Sequence, residues 1–276
     1  MSQANYIAKN HHRTIWLSDI HLGCRDCKAE FLLNFLHDNT ADRIFLVGDI
    51  VDFWALQRRV YWPETHNQIL NLILQRAQEG VDVFYLPGNH DELMKPYVKQ
   101  LFGNVQIHSE FIHTTVTGKK LLMLHGDKYD SEVCFGKFHA KLGDALYDVL
   151  LWLNRQCHAV RKRLGLPYWS MASYIKTKVK KANEAIRRYR DAAIADAKRQ
   201  DVDGIVCGHI HYPQMEMVDG TLYCNDGDWI ENCTTMIESQ SGNLKLLRWK
   251  DGENKTEVLS QMNWGERLSK LDEAAA

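Results

Sequence analysis

Short apolar runs alternate with helical patterns in the first hundred residues of the chain. The runs "TIWL", "RIFLV" and "VDVFYL" are short and rich in β-branched and aromatic residues, which predicts buried strands. Between them, residues 29–38 and 66–80 have apolar positions at helical spacing, and Gly80 predicts the end of the second helix. Strand, helix, strand, helix, strand in this order predicts a layered α/β fold.

After Val105 the pattern changes to closely spaced strands, for which we expect antiparallel pairing. They are predicted from "EFIHTTV", "KKLLML", "DGIVCG", "GTLYCN", "CTTMIE" and "NLKLLRW". Residues 135–200 interrupt this series with two long helical stretches separated by "LPYWS", which we interpret as a helical cap insertion. The predicted organisation is therefore a core formed by residues 1–134 and 201–260, the cap, and a C-terminal tail at 261–276.

The net charge of −1 conceals an uneven distribution of charge along the chain. Residues 137–199 contain fifteen Lys and Arg against five Asp and Glu, a local balance of +10, so the remainder carries −11. This asymmetry predicts an acidic body that binds metal and a basic module that faces an anionic partner.

Several features favour a cytoplasmic location. No run approaches the roughly 18 apolar residues of a membrane span, and residues 1–10 lack the apolar segment of a secretory signal. Seven cysteines, an odd number scattered through apolar segments, favour reduced thiols over a disulfide framework. Cys24 and Cys27 could form a redox or zinc pair, although a single C-x-x-C beside a metal loop is more often incidental.

Polar side chains that can bind metals follow five of the predicted strands. In open α/β sheets the carboxyl ends of strands line one crevice, so groups distant in sequence are expected to converge there. Alternation along a strand would also point Asp19 and His21 to the same side. The five groups are Asp19 with His21, Asp49, Asn89 with His90, His125, and His209 with His211.

Carboxylate, imidazole and amide groups without a thiolate suit hard or borderline divalent cations. Counted without His90, the seven candidate ligands exceed what one open catalytic metal needs and indicate two metals that share a bridge. Asp49 is the candidate bridge, because its two carboxylate oxygens can each face one cation. A single aspartate after a strand would usually be a turn residue, but five such clusters in this order favour a metal site. Other histidines, such as His113 within a strand, are predicted to be structural.

The segments "DIH", "GDIVD", "GNHD", "HGD" and "GHIH" resemble the five signature blocks of the calcineurin-like metallophosphoesterases. This resemblance implies a four-layer αββα sandwich of two mixed sheets with a helical cap and a dinuclear centre. Manganese is the expected metal, with iron, zinc or cobalt as alternatives. The resemblance assigns Asp49 to both metals. It adds Asp19, His21 and His211 at the first metal, and Asn89, His125 and His209 at the second.

The same resemblance implies hydrolysis of a phosphate ester or anhydride. His90 is not an implied ligand and would act on the leaving group or on phosphate charge, with Asp91 as the expected partner of its ring. Asp52 and Asp127 occupy positions from which hydrogen bonds could orient metal ligands; either could instead be an ordinary turn carboxylate.

The order of the blocks, the cap before "GHIH" and the "CNDGDW" segment after it are similar to the UDP-2,3-diacylglucosamine pyrophosphatase family of lipid A biosynthesis. Members release UMP and 2,3-diacylglucosamine 1-phosphate at the cytoplasmic face of the inner membrane, with the acyl chains under the cap. Their third block usually reads Gly-Asn-Arg-Asp, whereas this sequence has His90. The chain is also somewhat long for that family, so a paralogous branch is an open interpretation.

For this substrate class we expect an anionic head and apolar tails to contact the cap. Charged cap residues would face the phosphates or an anionic membrane, and aromatic residues would rim the crevice. Alternatively, the cap packs its apolar face on the body and exposes its lysines to water. The candidate substrate residues are Trp62, Leu150, Trp152, Arg155, Tyr168, Trp169 and Lys178.

Two other function classes stay open at this point. A nuclease or general phosphodiesterase would use the same metals, with the basic cap against a nucleic-acid backbone. A non-enzymatic scaffold, like the retromer subunit that shares this fold, would need neither His90 nor a full ligand set. The sequence retains both, which favours an enzyme.

Overall fold

The computed structural model describes residues 9–133, 150, 152–178, 180–250 and 255–264. Within them the chain forms two β-sheets that pack face to face, with helices on both outer faces. Both sheets contain parallel and antiparallel pairs. The predicted four-layer αββα arrangement of two mixed sheets is confirmed.

The first sheet has the strand order β13-β12-β11-β1-β2-β3-β5-β4. Its parallel part is β1, β2, β3 and β5, and the pairs of β1 with β11, β11 with β12, and β12 with β13 are antiparallel. The strands are β1 (Asn10–Leu17), β2 (Asn39–Leu46), β3 (Asp82–Tyr85), β4 (Leu101–Phe102), β5 (Val105–Ile107), β11 (Thr234–Glu238), β12 (Asn243–Lys250) and β13 (Lys255–Asn263).

The second sheet has the order β6-β7-β8-β10-β9, and its three central strands are parallel. Our expectation of antiparallel pairing is therefore wrong for these strands. Parallel neighbours need a long crossover connection, and a helix in the segment between β7 and β8 provides it. The strands are β6 (Phe111–Thr114), β7 (Lys120–Met123), β8 (Gly204–Cys207), β9 (Gln214–Val218) and β10 (Thr221–Asn225).

The helices cover the two sheets and form the described part of the cap. Short 3₁₀ turns at Glu92–Tyr97 and Asp127–Tyr129 lie beside the loops that follow β3 and β7. The described helices are α1 (Ala29–Asp38), α2 (Phe53–Arg58), α3 (Glu64–Gln78), α4 (Asp130–Val133), α5 (152–163), α6 (Met171–Lys178) and α7 (Lys180–Arg199). None of the helices in the described residues has the length and apolar character needed to cross a membrane.

Three apolar clusters hold the layers together. Trp16 and Phe45 are fully buried between the two sheets, whereas Phe35 of α1 and Ile69 of α3 pack on the outer face of the first sheet. Tyr189 of α7 is fully buried on the outer face of the second. Burial of each such side chain contributes about 1.5–3 kcal/mol, so these clusters fix the positions of the strands whose ends carry the site.

Helix α7 belongs partly to the core. We predicted the cap insertion to extend to residue 200, but Tyr189, Ala193 and Ala197 are buried against the second sheet. The small and aromatic side chains of this helix recur at helical spacing, which allows one face to pack while its basic residues remain outside. Residues 135–149, 151 and 179 of the predicted cap lie outside the described residues.

At its C-terminal side, the core also extends beyond the predicted limit at residue 260. Strand β13 continues to Asn263, where it pairs with Asn243. The edge strand therefore includes the first residues of the segment predicted as a tail. Residues 265–276 of that segment lie outside the described residues.

Candidate metal centre

The candidate ligands lie in loops at the carboxyl ends of five strands. Loops after β1, β2 and β3 of the first sheet carry the first three groups, and loops after β7 and β8 of the second sheet carry the last two. The two sheets thus contribute to one cluster at the same end of the sandwich, as expected for strand ends in α/β folds.

The loop backbone is unusual at these positions. Asp19, His21, Asp49, His209 and His211 all have positive φ, between 48° and 71°. Residues other than glycine rarely adopt this left-handed conformation, which costs about 1–3 kcal/mol each and concentrates at functional sites. The surrounding structure must therefore hold these loops in place.

Backbone hydrogen bonds between neighbouring loops provide this restraint. Asp19 N donates to O of Gly48 at 3.0 Å, and His21 N donates to O of Asp49 at 2.9 Å. Strand β1 ends at Leu17, so strand alternation does not bring Asp19 and His21 together. They converge because each adopts the left-handed conformation within the loop, which corrects the reason behind that prediction.

Asp19, His21 and His211 form the first group. Oδ1 of Asp19 lies 3.1 Å from Nε2 of His211 and 3.9 Å from Nε2 of His21, and the two imidazole nitrogens are 3.4 Å apart. The three potential ligand atoms lie within 4.8 Å of one another. Asp19 is fully buried, and its Oδ1 accepts no hydrogen bond. A buried acceptor facing two imidazoles is a suitable position for a cation.

Asp49, His125 and His209 form the second group. Nε2 of His125 lies 3.2 Å from Oδ2 of Asp49 and 3.2 Å from Oδ1 of Asn89. The same Oδ2 of Asp49 is 3.8 Å from Nε2 of His21 in the first group. Asp49 therefore lies between the two groups, where a bridging carboxylate would have to be.

Glycines before the candidate ligands leave room for them. A Cβ added to Gly88 would overlap Oδ1 of Asp49, and one added to Gly208 would overlap Oδ2 of Asp19. The glycines of "GNHD" and "GHIH" thus allow the backbone to pass directly against the carboxylates. This close approach explains why both blocks begin with glycine.

The charges and pKa values of the side chains in this cluster favour the binding of cations. Burial would raise the pKa of Asp19, but the charge of His211 lowers it to about 2. Burial would lower the pKa of His21, but hydrogen bonding to Asp52 and the charges of Asp49 and Asp19 raise it to about 9. In the same way, the charge of His125 overcomes burial and holds the pKa of Asp49 well below its usual value. The charge of Asp49 overcomes burial and holds the pKa of His125 well above its usual value.

Asp19 and Asp49 thus retain negative charge and draw protons onto His21 and His125. Divalent cations would take the place of those protons, because the donors are the oxygen and imidazole groups that such cations prefer. The donor set, the buried oxygen of Asp19 without a hydrogen bond, and the charge distribution all fit a metal centre.

His90 lies at the edge of this cluster. Its backbone N–H donates to Oδ1 of Asp49 at 2.8 Å, and its Nδ1 lies 3.0 Å from Oδ1 of Asp52. The ring is held between His21, at 4.6 Å between ring centroids, and Trp54, at 4.2 Å with a 36° tilt. His90 is a quarter exposed, so it can reach a substrate.

Our sequence reasoning missed Trp54. The residue lies in the first turn of α2, two positions after Asp52, and the side chain of Asp52 caps this helix by accepting from N of Ala55 at 2.8 Å. The signal was present in "GDIVDFW", where a carboxylate precedes a helix and an aromatic residue follows.

Asp52 lies where a ligand-orienting carboxylate was predicted. Its Oδ2 is 3.1 Å from Nδ1 of His21, and its Oδ1 is 3.0 Å from Nδ1 of His90. One carboxylate therefore orients a candidate metal ligand and the candidate catalytic histidine. Such partners fix the tautomer and the direction of a ligating imidazole.

The predicted pairing of Asp91 with His90 is wrong. The Asp91 carboxylate accepts hydrogen bonds from N of Ile50 at 2.8 Å, N of Gly88 at 2.5 Å and OH of Tyr85 at 2.5 Å. Burial and the nearby charge of Asp49 raise the pKa of Asp91. This residue ties the loops after β2 and β3 together and belongs to the support of the site rather than to its chemistry.

Asp127 also differs from its predicted role. Its carboxylate accepts from Nζ of Lys95 at 3.1 Å at the protein surface. Asp130, the first residue of α4, lies instead beside a candidate ligand, with Oδ1 2.7 Å from Nε2 of His209. The 3₁₀ turn at Asp127–Tyr129 separates the two aspartates, and the sequence pattern did not reveal this turn.

Three of the predicted substrate residues have structural partners. Trp62 is partly buried against the core and donates from Nε1 to Asn67 at 2.8 Å. Arg155 binds both carboxylate oxygens of Asp26, at 2.6 and 2.5 Å. Tyr168 donates from its OH to O of Ile230 at 3.2 Å. Arg155 and Tyr168 therefore attach the cap to the body, and Trp62 packs beside α3.

The remaining predicted substrate residues lie on the cap. Trp152 and Trp169 are 51% and 42% exposed, and Leu150 is partly buried. Trp169 contributes to a pocket of about 540 Å³ between α6, the loop around Asn232 and the end of β12. Lys178 is the last residue of α6, and its side chain lies outside the described part of the structure.

Cys24 and Cys27 are protonated thiols. Burial raises the pKa of Cys24 to about 11 and raises that of Cys27 further above its usual value. Metal binding and thiol–disulfide exchange both require the thiolate. The environment of this pair therefore supports the incidental interpretation of the motif.

The sequence model of the calcineurin-like phosphoesterases matches residues 12–213, which is most of the chain and includes all five groups of candidate ligands. The chain belongs to this family. It is a metal-dependent hydrolase that acts on phosphate esters or anhydrides. The family implies divalent metal ions, in agreement with the residue groups described above.

Curated relatives are more specific. The chain is 26% identical over 254 residues to the UDP-2,3-diacylglucosamine hydrolase of Vibrio cholerae serotype O1, covering 85% of this chain and 96% of that protein. It is 27% identical over 218 residues to the protein of the same name from Yersinia pestis, covering 75% of this chain and 85% of that protein. The chain is thus a distant relative of these hydrolases.

Solved structures are similar at a lower level. A single mutant of Vps29 from Entamoeba histolytica is 12% identical with a TM-score of 0.46, and the match covers 91% of this chain and 99% of that one. The phosphopantetheinyl hydrolase of Mycobacterium tuberculosis is 14% identical with a TM-score of 0.40, covering 79% and 89%. Similarity at this level says nothing about activity.

Proposed function

We propose that the protein hydrolyses the pyrophosphate of UDP-2,3-diacylglucosamine at a centre of two manganese ions. The products would be UMP and 2,3-diacylglucosamine 1-phosphate. The observation that carries this proposal is the pair of adjacent ligand groups with Asp49 between them, beside which the cap is attached. Relatives that align over most of their own length and bear this activity in their names support it.

The ligand assignment follows from the two groups. Asp19, His21 and His211 would hold one metal with Asp49, and Asn89, His125 and His209 would hold the other with Asp49. Two such metals would activate a water molecule by lowering its pKa toward 7 and would neutralise charge on the phosphoryl oxygens. The protein's own contribution is to keep seven side chains and the substrate phosphate in one geometry.

His90 is the residue proposed to act on the leaving oxygen. With Nδ1 directed at Asp52, the other ring nitrogen is available to the substrate. That nitrogen is the one proposed to donate a hydrogen bond or a proton to the departing phosphate oxygen. Trp54 and His21 on either side restrict rotation of the ring.

The cap is proposed to select an anionic substrate with apolar tails. Its described part exposes Trp152, Leu153 and Leu164 and carries the exposed basic residues Lys162 and Arg163. Exposed apolar surface of this kind commonly marks a ligand or membrane contact. We therefore extend the proposal to a location at the cytoplasmic face of the inner membrane, with the cap toward the lipid.

The test is to load the protein with Mn²⁺ and incubate it with acylated and deacylated UDP-glucosamine, measuring UMP. Each buried methylene contributes about 0.8 kcal/mol, so the acylated substrate should be preferred by several orders of magnitude. Equal hydrolysis of the deacylated compound would reject the lipid substrate and leave the reaction class intact.

A general phosphodiesterase or nuclease is the second candidate, because His90 replaces the arginine usual in the pyrophosphatase branch. The salt dependence of substrate binding distinguishes a nuclease from the lipid pyrophosphatase. Binding of a nucleic-acid backbone weakens steeply with ionic strength, whereas burial of acyl chains does not. Loss of substrate affinity between 50 and 200 mM salt by orders of magnitude would favour the nuclease.

A further inference from the structure

The segment "NDGDWIEN", residues 225–232, has no part in the proposed reaction, yet it contacts both metal-binding loops of the first group. Trp229 N donates to O of Asp19 at 3.0 Å. At the other end of the segment, Nδ2 of Asn232 donates to O of His211 at 3.1 Å. The segment therefore joins the backbones of two candidate ligands that are far apart in sequence.

Asp228 makes this segment rigid. Its carboxylate is fully buried and accepts from N of Ile230 at 2.8 Å and from N of Glu231. It also accepts from both N and Nδ2 of Asn232, at 3.2 and 2.5 Å. A carboxylate that collects successive backbone N–H groups fixes a tight turn. The Asn232 amide is thus held in one orientation.

The same amide reaches the cap. Oγ of Ser173, in helix α6, donates to Oδ1 of Asn232 at 2.9 Å. The amide uses its oxygen for the cap and its nitrogen for the backbone of His211. A continuous chain of hydrogen bonds therefore runs from α6 through Asn232 to a candidate metal ligand.

We propose that Asn232 is a positioning residue that couples docking of helix α6 to the geometry of His211. His211 is held at a φ of 50°, and a bond to its carbonyl oxygen restrains that strained backbone. The inference rests on the proposed metal centre. Because coupling between two sites is reciprocal, metal binding stabilises α6, and docked α6 raises the metal affinity.

The first experiment measures Mn²⁺ affinity of the metal-free protein by titration calorimetry. Asn232→Asp keeps an acceptor for Ser173 but cannot donate to His211, so the affinity should fall about tenfold. The matched control is Asn154→Asp. Asn154 is a buried amide whose Oδ1 accepts from N of Met171 at 2.9 Å within the cap. The Mn²⁺ affinity of Asn154→Asp should therefore stay within twofold of the wild-type value.

Asn232→Ser serves as a second variant if the aspartate beside Asp228 prevents folding. Its hydroxyl is too short to bridge the two partners, so the affinity should fall by a similar factor. Wild-type Mn²⁺ affinity in either variant would overturn the proposal. A wild-type protein that binds no Mn²⁺ would overturn both the metal centre and the coupling.

The second experiment follows hydrogen exchange in Met171–Lys178 with and without Mn²⁺. Metal should slow exchange there in the wild type, and Ser173→Ala should abolish the slowing even at a Mn²⁺ concentration that saturates both proteins. Ser170→Ala is the control, because Oγ of Ser170 caps α6 by accepting from N of Ser173 at 3.1 Å. Ser170→Ala should speed exchange both with and without Mn²⁺, and Mn²⁺ should still slow exchange in this variant. Equal metal effects in Ser173→Ala and wild type would contradict the coupling.

Discussion

The metal-binding end of the sandwich and the cap are built in opposite ways. Four of the seven candidate ligands are buried and the other three are partly buried, and five of the seven have left-handed backbones. The described cap exposes large apolar side chains, including Leu164 at 68% and Trp152 at 51%. It is attached through a few polar contacts, chiefly those of Arg155, Tyr168 and Ser173.

The buried metal-binding end and the exposed cap suit two different tasks. Chemistry on a phosphate needs ligands held in one geometry, and a rigid, strained and buried cluster achieves this at a cost in stability. Recognition of a substrate with variable apolar chains benefits from an adaptable exposed surface. Changes at the metal-binding end should therefore affect turnover on every substrate, whereas changes in the cap should affect selected substrates.

The largest effect is expected at Asp49. Asp49→Ala removes the carboxylate that lies between the two ligand groups and is proposed to bridge the metals, so both metals should be lost and hydrolysis should fall by roughly 10³-fold or more. Elemental analysis and hydrolysis of bis-p-nitrophenyl phosphate would measure the two losses. Retention of two metals with full activity would show that the two groups do not share a bridge.

His90 should separate catalysis from metal binding within the rigid region. His90→Ala should retain both metals and lose roughly 10²-fold in turnover, the usual range for a general acid or base. Asp52→Asn should reduce turnover less while also weakening metal binding, because Asp52 contacts His21 as well. A His90→Ala protein that loses its metals but keeps its rate per bound metal would contradict this role.

The cap should respond only to the acylated substrate. Trp152→Glu places a charge on the exposed apolar surface, and the KM for acylated UDP-glucosamine should rise about tenfold, the equivalent of roughly 1.4 kcal/mol of lost burial. Hydrolysis of the small diester should stay unchanged. Leu101→Glu, an exposed apolar position on edge strand β4, is the control and should alter neither. A matching loss on the diester would show that the two regions are not separate.

The smallest effect concerns pH and the support of the metal loops. His66 is buried in α3, and its Nδ1 accepts from N of Gly23 at 3.1 Å. Burial lowers the pKa of His66 from 6.5 to about 4. The unfolded chain thus binds this proton more readily, so the stabilisation is complete above pH 6.5 and is lost as the pH falls toward 4.

Thermal unfolding between pH 7 and 4 would test this assignment. The wild-type Tm should fall with pH through that range, and His66→Gln should show a flatter profile from a lower starting Tm. Parallel profiles in the two proteins would show that His66 does not titrate in this way.

The sequence predicted the elements and the cluster better than the contacts within it. Helix α1 was predicted with the bounds observed, because its apolar spacing is regular and a polar residue follows it. The five ligand groups converge as expected, because strand ends in α/β folds meet at one edge. Asp19 and His21, however, converge through left-handed loop residues, which no hydrophobic pattern encodes.

Partner choice among neighbouring carboxylates was the main error. Asp91 adjoins His90 in sequence but faces Tyr85 and Ile50, whereas Asp52, from another loop, holds the His90 ring. Asp130 rather than Asp127 lies beside His209, because a single 3₁₀ turn changes which carboxylate faces the site. Such choices depend on the packing of whole loops, and sequence adjacency does not reveal them.

The most direct test of the two-metal centre is a titration of the metal-free wild-type protein with Mn²⁺, following the bound metal and the hydrolysis rate together. Two ions should bind per chain, and hydrolysis should rise chiefly with the second, because both are needed around the substrate phosphate. Full activity at one bound ion, or activity that persists in the presence of a chelator, would contradict the assignment.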